Sequence, residues 1–204
     1  MKKLLIATNN PGKQKQFQYL FKDRAGLALV FPRDIGLAGT GIVEDGRTAK
    51  ENAQKKARIF AEKSKLPTLA DDGGVEIDAL DGEPGVQARR WNGLFPEDVE
   101  DEVWLEYLLK RMKDVPQDHR GGKVRAHWVA VLPGGAELDL EIIRPFYLVK
   151  VPQRPYPKGL PLSALEFNIK HGKMVKDLKD EEIYDDLKEQ LDQWSEFWDA
   201  MKKK

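Results

Sequence analysis

The sequence predicts an α/β protein, and three observations carry the prediction. The chain opens with an apolar run, an amphipathic segment and a second apolar run, the order of a βαβ unit. A capped helical segment over residues 49–64 leads into another short strand. Alternating apolar residues on either side of a Pro-Gly-Gly turn then give a hairpin pattern over residues 124–151.

The first run, Lys3-Leu4-Leu5-Ile6-Ala7, is short, apolar and bounded by polar residues, which fits a strand buried on both faces. A helix is expected after Gly12, with Phe17, Leu20 and Phe21 sharing its buried face, and the run LALVF (residues 27–31) is the second strand. Thr48-Ala49-Lys50-Glu51 has the capping-box pattern, and Ala53, Ala57, Phe60 and Ala61 continue it at helical spacing. A strand at Pro67–Ala70 is expected to end on Asp71-Asp72-Gly73-Gly74, where acids followed by glycines can approach a ligand closely. Val99, Val103, Trp104, Leu108 and Met112 predict a helix within residues 96–115. Four prolines within residues 152–161 make a stiff loop, read as the hinge or linker. A last helix over residues 180–202 carries Ile183, Leu187, Leu191, Trp194, Trp198 and Met201 on one stripe, the pattern of core or subunit packing.

Composition limits the function. With 34 basic and 34 acidic residues the chain lacks the basic excess of a duplex-DNA binder, so no nucleic-acid partner is expected. No apolar run approaches the length of a membrane span, so no membrane partner is expected either. The chain has no Cys, which removes disulfides, thiolate zinc sites and cysteine nucleophiles together, and suits a cytoplasmic setting. Its 204 residues are read as one domain spanning 1–204.

Three clusters carry possible chemistry. Thr8-Asn9-Asn10-Pro11-Gly12-Lys13 joins the first strand to its helix, where backbone amides, the helix dipole and a lysine outline a phosphate cradle; a plain capped turn explains the same residues. Asp71 and Asp72, with Glu44 and Asp45 upstream, offer hard oxygens for Mg²⁺ and a carboxylate to activate water, against the alternative of a solvated acidic turn. Lys56, Arg89 and Arg90 face either a ligand or solvent, and His119, His127 and His171 lack metal-ligand spacing.

In this order ATNNPGK, EDGRTAKENAQKKA, LADDGGVEIDAL and GEPGVQARRW resemble the Ham1 family of inosine and xanthosine triphosphate pyrophosphatases, whose usual forms are ATNNxGK, EETGxTFxENAxxKA, ADDSGLxVDAL and GxPGxxSARY. The resemblance runs in register over residues 3–93. It implies a mixed central sheet flanked by helices, two lobes with a nucleotide cleft between them, a homodimer, and Mg²⁺-dependent hydrolysis of a nucleoside triphosphate to monophosphate and pyrophosphate. By position, Thr8, Asn9, Asn10, Gly12, Lys13 and Lys56 would hold the triphosphate, with Gly73 and Arg90 also against substrate. Asp72 would activate water and bind metal, with Asp71 beside it.

The departures are specific. The family's metal glutamate position is Val43, with Glu44 one place later, and in an extended segment that offset reverses the side chain unless the backbone bulges. Where the family has GFGYDPIF, this chain has Gly159-Leu160-Pro161-Leu162-Ser163-Ala164-Leu165-Glu166. The family's substrate lysine is Ile183, and its Ser-His-Arg falls on Leu187-Lys188-Glu189. The resemblance therefore implies a retained phosphate half and a lost base-reading half: a pyrophosphatase of relaxed or altered base selectivity, or a catalytically weakened nucleotide-binding protein on the same fold.

Overall fold

The computed structural model describes residues 1–202. In chain order the main elements are β1 (Lys2–Ile6), α1 (Pro11–Leu20), β2 (Leu27–Val30), α2 (Ala49–Ser64), β3 (Thr68–Ile77), β4 (Pro84–Gly85), α3 (Asp101–Arg111), β5 (Gly121–Val131), β6 (Glu137–Leu148), β7 (Glu166–Asn168), β8 (Lys173–Met174), α4 (Asp180–Gln193) and α5 (Ser195–Lys202). The strands hydrogen-bond in the order β2-β1-β3-β5-β6-β7-β8, with β4 on β3. β1 is parallel to β2 and β3, with Leu5 opposite Val30 and Thr68, whereas β4, β7 and β8 pair antiparallel. The sheet is therefore mixed, as expected.

The chain forms two compact units, residues 1–72, 126–142 and 180–202 in the first, and 73–125 with 143–179 in the second. The boundary falls inside β3, β5 and β6. In the first unit the period-two alternation of strands sorts side chains onto two cores. Leu4, Ile6, Leu69, Trp128 and Ala130 face Phe17 and Leu20 of α1 and Leu191 and Phe197 of the C-terminal helices. Leu5, Ala7, Ala70, Val129 and Val131 face Ala53, Ala57 and Phe60 of α2. β1 is thus buried on both faces, as its unbroken apolar run predicts.

The second unit has its own core, in which Trp104, Leu105 and Leu108 of α3 meet Ile77, Phe146 and Leu148. α3 starts at Asp101, later than the apolar spacing suggests, because Arg89 ties down the approach: its guanidinium hydrogen-bonds the Val99 carbonyl and pairs with Asp101 at 2.6 Å. Val103, expected on the buried stripe, is exposed.

Two expectations are corrected here. The proline-rich loop is no linker, since residues 152–161 lie wholly within the second unit. The Gly159 amide donates to Asp101 Oδ2 at 2.7 Å, and Arg154 and the Tyr156 hydroxyl both reach the Glu102 carboxylate. The C-terminal helix is not continuous either. It breaks at Trp194, where the Leu191 carbonyl accepts from the Trp194 amide at 3.2 Å and from the Trp198 indole at 2.7 Å instead of continuing the helical ladder. Its apolar stripe is core packing, as expected, with Phe197 added to it.

Glu102 supplies a pH prediction. The Arg154 guanidinium, and then the Tyr156 hydroxyl, lower its pKa from 4.5 to about 2. A depressed carboxylate adds stability above its unfolded pKa and loses it as pH falls through the folded value, so the window runs from pH 4.5 down to about 2. Glu102→Gln should flatten the fall of the melting temperature in that window, modestly because the pair is exposed. Superimposable wild-type and variant acid limbs would show that the carboxylate does not pin the loop.

Candidate active site

The predicted phosphate turn is a capped helix start. Asn10 is the N-cap of α1, its Oδ1 accepting from the amides of Gly12 at 2.8 Å and Lys13 at 3.2 Å, with Pro11 at the first helical position, where no donor is needed. Thr8 Oγ1 accepts from the Asn10 amide at 3.1 Å. The expectation of free amides is corrected: these three are engaged by side chains of the turn itself. Asn9 donates through Nδ2 to the Ala38 carbonyl at 3.0 Å. Underneath, buried Gln14 donates to the Thr8 carbonyl at 3.1 Å and accepts from Arg33 at 3.0 Å, fixing the turn to the strand end.

β3 does not end at the aspartates. It runs on through Gly73 and Gly74 to Ile77, because Gly74 serves another strand: a Cβ there would lie 2.5 Å from the Gly85 carbonyl oxygen of β4. Glycine at Gly74 thus permits backbone–backbone approach, not the ligand approach anticipated for it. Since successive strand residues face opposite sides, Asp71 and Asp72 diverge. Asp71 Oδ2 meets Lys13 Nζ of α1 at 2.9 Å, while Asp72 faces α2, its Oδ1 4.0 Å from Lys56 Nζ. Among the described residues no group of three or more His, Asp or Glu side chains is placed to hold a metal ion.

Lys56 is the hub of the arrangement. Its side chain is only 12% exposed, and Nζ reaches Glu44 Oε1 at 2.6 Å and the Asp71 carbonyl at 3.0 Å besides Asp72. The concern that Glu44 points away is answered by the backbone: residues 41–46 are irregular, so strand alternation does not apply to them. Asp45 turns to Lys55 at 2.6 Å, Glu44 turns to Lys56, and Val43 is left 69% exposed.

Burial raises the pKa of Asp72, and the neighbouring Glu44 charge adds to the rise, while Lys56, a hydrogen bond from Asn52 and Lys13 oppose it. For Lys13 burial works against the charge, but the Asp71 charge and hydrogen bond outweigh it and hold the pKa above the ordinary lysine value. A proton-accepting carboxylate held by burial, beside two lysines fixed by adjacent aspartates, is chemistry suited to a polyanionic substrate and an activated water. Asp72 and Glu44 also present two hard carboxylates around one cation, a donor set that fits Mg²⁺, which needs one or two carboxylates and completes its shell with water and phosphate oxygens.

The remaining predicted residues belong to the second unit. Gly73 is half-buried in β3. Arg90 is half-buried in a turn, its carbonyl accepting from the amides of Gly93 at 3.0 Å and Phe95 at 2.9 Å. Arg89 is a structural anchor, and Trp91 is a core residue whose indole donates to Glu83 at 3.0 Å. The positions where base-reading groups were expected are also packing positions. Ile183 and Leu187 lie against the first unit's core and Leu162 against the second's, while Lys188 pairs with Asp192 at 2.9 Å. The sequence reading missed Asn52 and Gln14 as partners of site residues. Asn52 precedes Lys56 by one helical turn, and that i, i+4 relation was the available signal.

A sequence model described as the Ham1 family matches residues 4–142, so the chain belongs to the Ham1 family. It is 41% identical over 137 residues to the dITP/XTP pyrophosphatase of Escherichia coli, covering 67% of this chain and 66% of that protein. It is 39% identical over 142 residues to the dITP/XTP pyrophosphatase of Corynebacterium glutamicum, covering 68% and 66%. The chain thus spans about two thirds of the length of the curated relatives it matches. The fold likeness reaches further. A nucleoside-triphosphatase / dITP/XTP pyrophosphatase from Mycobacterium abscessus superposes with a TM-score of 0.72 at 25% identity, covering 93% of this chain and 97% of that one. A HAM1 protein from Coxiella burnetii gives 0.78 at 22% identity, covering 94% and 99%. The family model's match ends at residue 142, while the fold likeness covers 93% of this chain.

Proposed function

We propose that this protein is a nucleoside triphosphate pyrophosphatase, converting a nucleoside triphosphate and water into the monophosphate and pyrophosphate. The observation that carries the reading is the Asp71-Asp72 pair of β3 gathering Lys13 from α1 and Lys56 from α2, with Glu44 on the same Lys56. In this reading Lys13, Lys56, Thr8, Asn9 and Asn10 hold phosphates, Gly12 keeps the turn tight, and Gly73 and Arg90 complete the substrate contacts. Asp72 orients and deprotonates the attacking water. Bound Mg²⁺, held by Asp72 and Glu44, would supply charge neutralisation on the phosphates and polarisation of the water. A homodimer and a cytoplasmic setting belong to the same proposal and rest on the family resemblance.

The preferred substrates would be deaminated purine nucleotides such as ITP, XTP and dITP, with relaxed selectivity. Apolar core side chains at Ile183 and Leu187 support that relaxation, since neither donates a hydrogen bond to a purine 6-oxo group. A site that hydrogen-bonds its substrate discriminates by about 10⁴-fold, whereas an apolar pocket manages about 10- to 200-fold. ITP should therefore be favoured over ATP by less than about a hundredfold. Measuring kcat/KM for ITP, XTP, GTP and ATP at one Mg²⁺ concentration tests this. Preference for ITP above about a thousandfold would refute relaxed selectivity, and no pyrophosphate from any triphosphate would favour the nucleotide-binding alternative to which exposed Val43 points.

A further inference from the structure

Glu44 reaches Lys56 although the chain offers no strand or helix at residues 41–46 to direct it. Something outside that segment must fix it. The Gly46 amide donates to Asn52 Oδ1 at 2.7 Å, and Asn52 is 3% exposed on α2. The next two residues are tied to the same helix turn: the Arg47 amide donates to Glu51 Oε2 at 2.7 Å, and Thr48 Oγ1 caps the Glu51 amide at 3.2 Å. The approach is close enough to require glycine. A Cβ on Gly46 would sit 2.6 Å from Asn52 Oδ1 and 2.9 Å from Glu51 Cβ. Asn52 also favours the ionised form of the Asp72 carboxylate, opposing the rise that burial causes. One buried side chain thus bridges the segment carrying Glu44 and the strand carrying Asp72.

We propose that Asn52 is a positioning residue: it latches Gly46 to α2 and so sets Glu44 beside Lys56 and Asp72. The latch explains how a chain with valine at the usual glutamate position still delivers a carboxylate to this place. With Gly46 fixed, Asp45 and Glu44 fall to Lys55 and Lys56 respectively. The inference rests on the pyrophosphatase reading for its catalytic consequence and on geometry alone for the latch. A buried asparagine that merely satisfies a core would share the contacts but would not couple energetically to Glu44.

The test uses the full chain and the variants Asn52→Ala, Asn52→Asp, Glu44→Gln and the double variant Glu44→Gln/Asn52→Ala. Amide hydrogen exchange at Gly46 reads the latch without any activity. Protection should be lost in Asn52→Ala and kept in Asn52→Asp, whose carboxylate still accepts from Gly46. Mn²⁺ affinity by calorimetry, with no nucleotide present, should weaken by about 10- to 100-fold in Asn52→Ala, the range for groups that orient metal ligands. Turnover of ITP should fall by a similar factor, and the double variant should be no slower than the slower single one, because both substitutions remove the same carboxylate's contribution. Unchanged Gly46 exchange in Asn52→Ala overturns the latch. Multiplying losses in the double variant overturn its role in placing Glu44. Should Asn52→Ala fail to fold, Gly46→Ala, whose Cβ would sit 2.6 Å from Asn52 Oδ1 and so force the same contact apart, carries the Mn²⁺ and turnover comparison, with loss expected and wild-type values contradicting the proposal. Should the wild type hydrolyse no triphosphate, the functional reading falls, while Gly46 exchange and Mn²⁺ affinity still decide the latch.

Discussion

Asp72→Asn is expected to cost on the order of 10²-fold or more in turnover while leaving the protein folded and at least as stable as the wild type near neutral pH. The activity loss follows from removing the one carboxylate that is buried, faces α2 and stands within reach of both Lys56 and Glu44. The stability statement follows from the sign of its pKa shift. A carboxyl raised by burial binds its proton more tightly folded than unfolded, so its contribution to stability is lost as pH rises through the folded value, and the ionised form is a burden above it. Asparagine keeps the shape without that burden, and Lys56 keeps Glu44 and the Asp71 carbonyl. Turnover with saturating ITP and a thermal melt of each protein check both halves. Near-normal turnover would remove Asp72 from the catalytic role.

Lys56→Met is expected to reduce turnover by a comparable factor and, unlike Asp72→Asn, to destabilise the fold. Methionine fills the stem's space but leaves Glu44 and Asp72 without their shared cation and the Asp71 carbonyl without its donor. Stranding a buried carbonyl costs about 1–3 kcal/mol, and breaking a fully buried ion pair about 3–5 kcal/mol. Glu44 is 42% exposed, so the loss should sit near the lower range, about 1–3 kcal/mol by denaturant titration. Added Mg²⁺ should recover part of it by replacing one cation with another between the same carboxylates. A variant as stable as the wild type would mean that Lys56 is a solvated surface charge and that its contacts carry no energy.

What was legible in the sequence follows from which forces are local. The apolar run of β1, the capping threonine of α2 and the hairpin alternation of β5 and β6 are local patterns with one stable outcome each, and they appear at the expected places. The end of β3 was misread because Gly73 and Gly74 look like strand terminators. Only the arrival of Gly85, paired with Val75 from an irregular stretch, shows that Gly74 makes room for a neighbouring strand. The break at Trp194 was equally hidden, since its cause is the Trp198 indole occupying the Leu191 carbonyl across a turn whose residues keep helical periodicity.

The same distinction applies to the site. Asp72 and Lys56 stand in motifs that the sequence displays, and the structure brings their charged ends to 4.0 Å. The offset of Glu44 was judged by strand alternation, which holds only where there is a strand; the Gly46–Asn52 contact that governs this loop leaves no periodic trace. Ile183, Leu187 and Leu162 stand out in the sequence as departures from the resembled motifs, but their packing against the two cores is visible only with their neighbours in place.

The phosphorus products of ITP test the central claim most directly. Followed by ³¹P NMR with and without Mg²⁺, the protein should yield inosine monophosphate and pyrophosphate in equal amounts, only when the cation is present, and Asp72→Asn should slow the appearance of both together by on the order of 10²-fold or more. Orthophosphate with inosine diphosphate, or hydrolysis indifferent to Asp72, would contradict it.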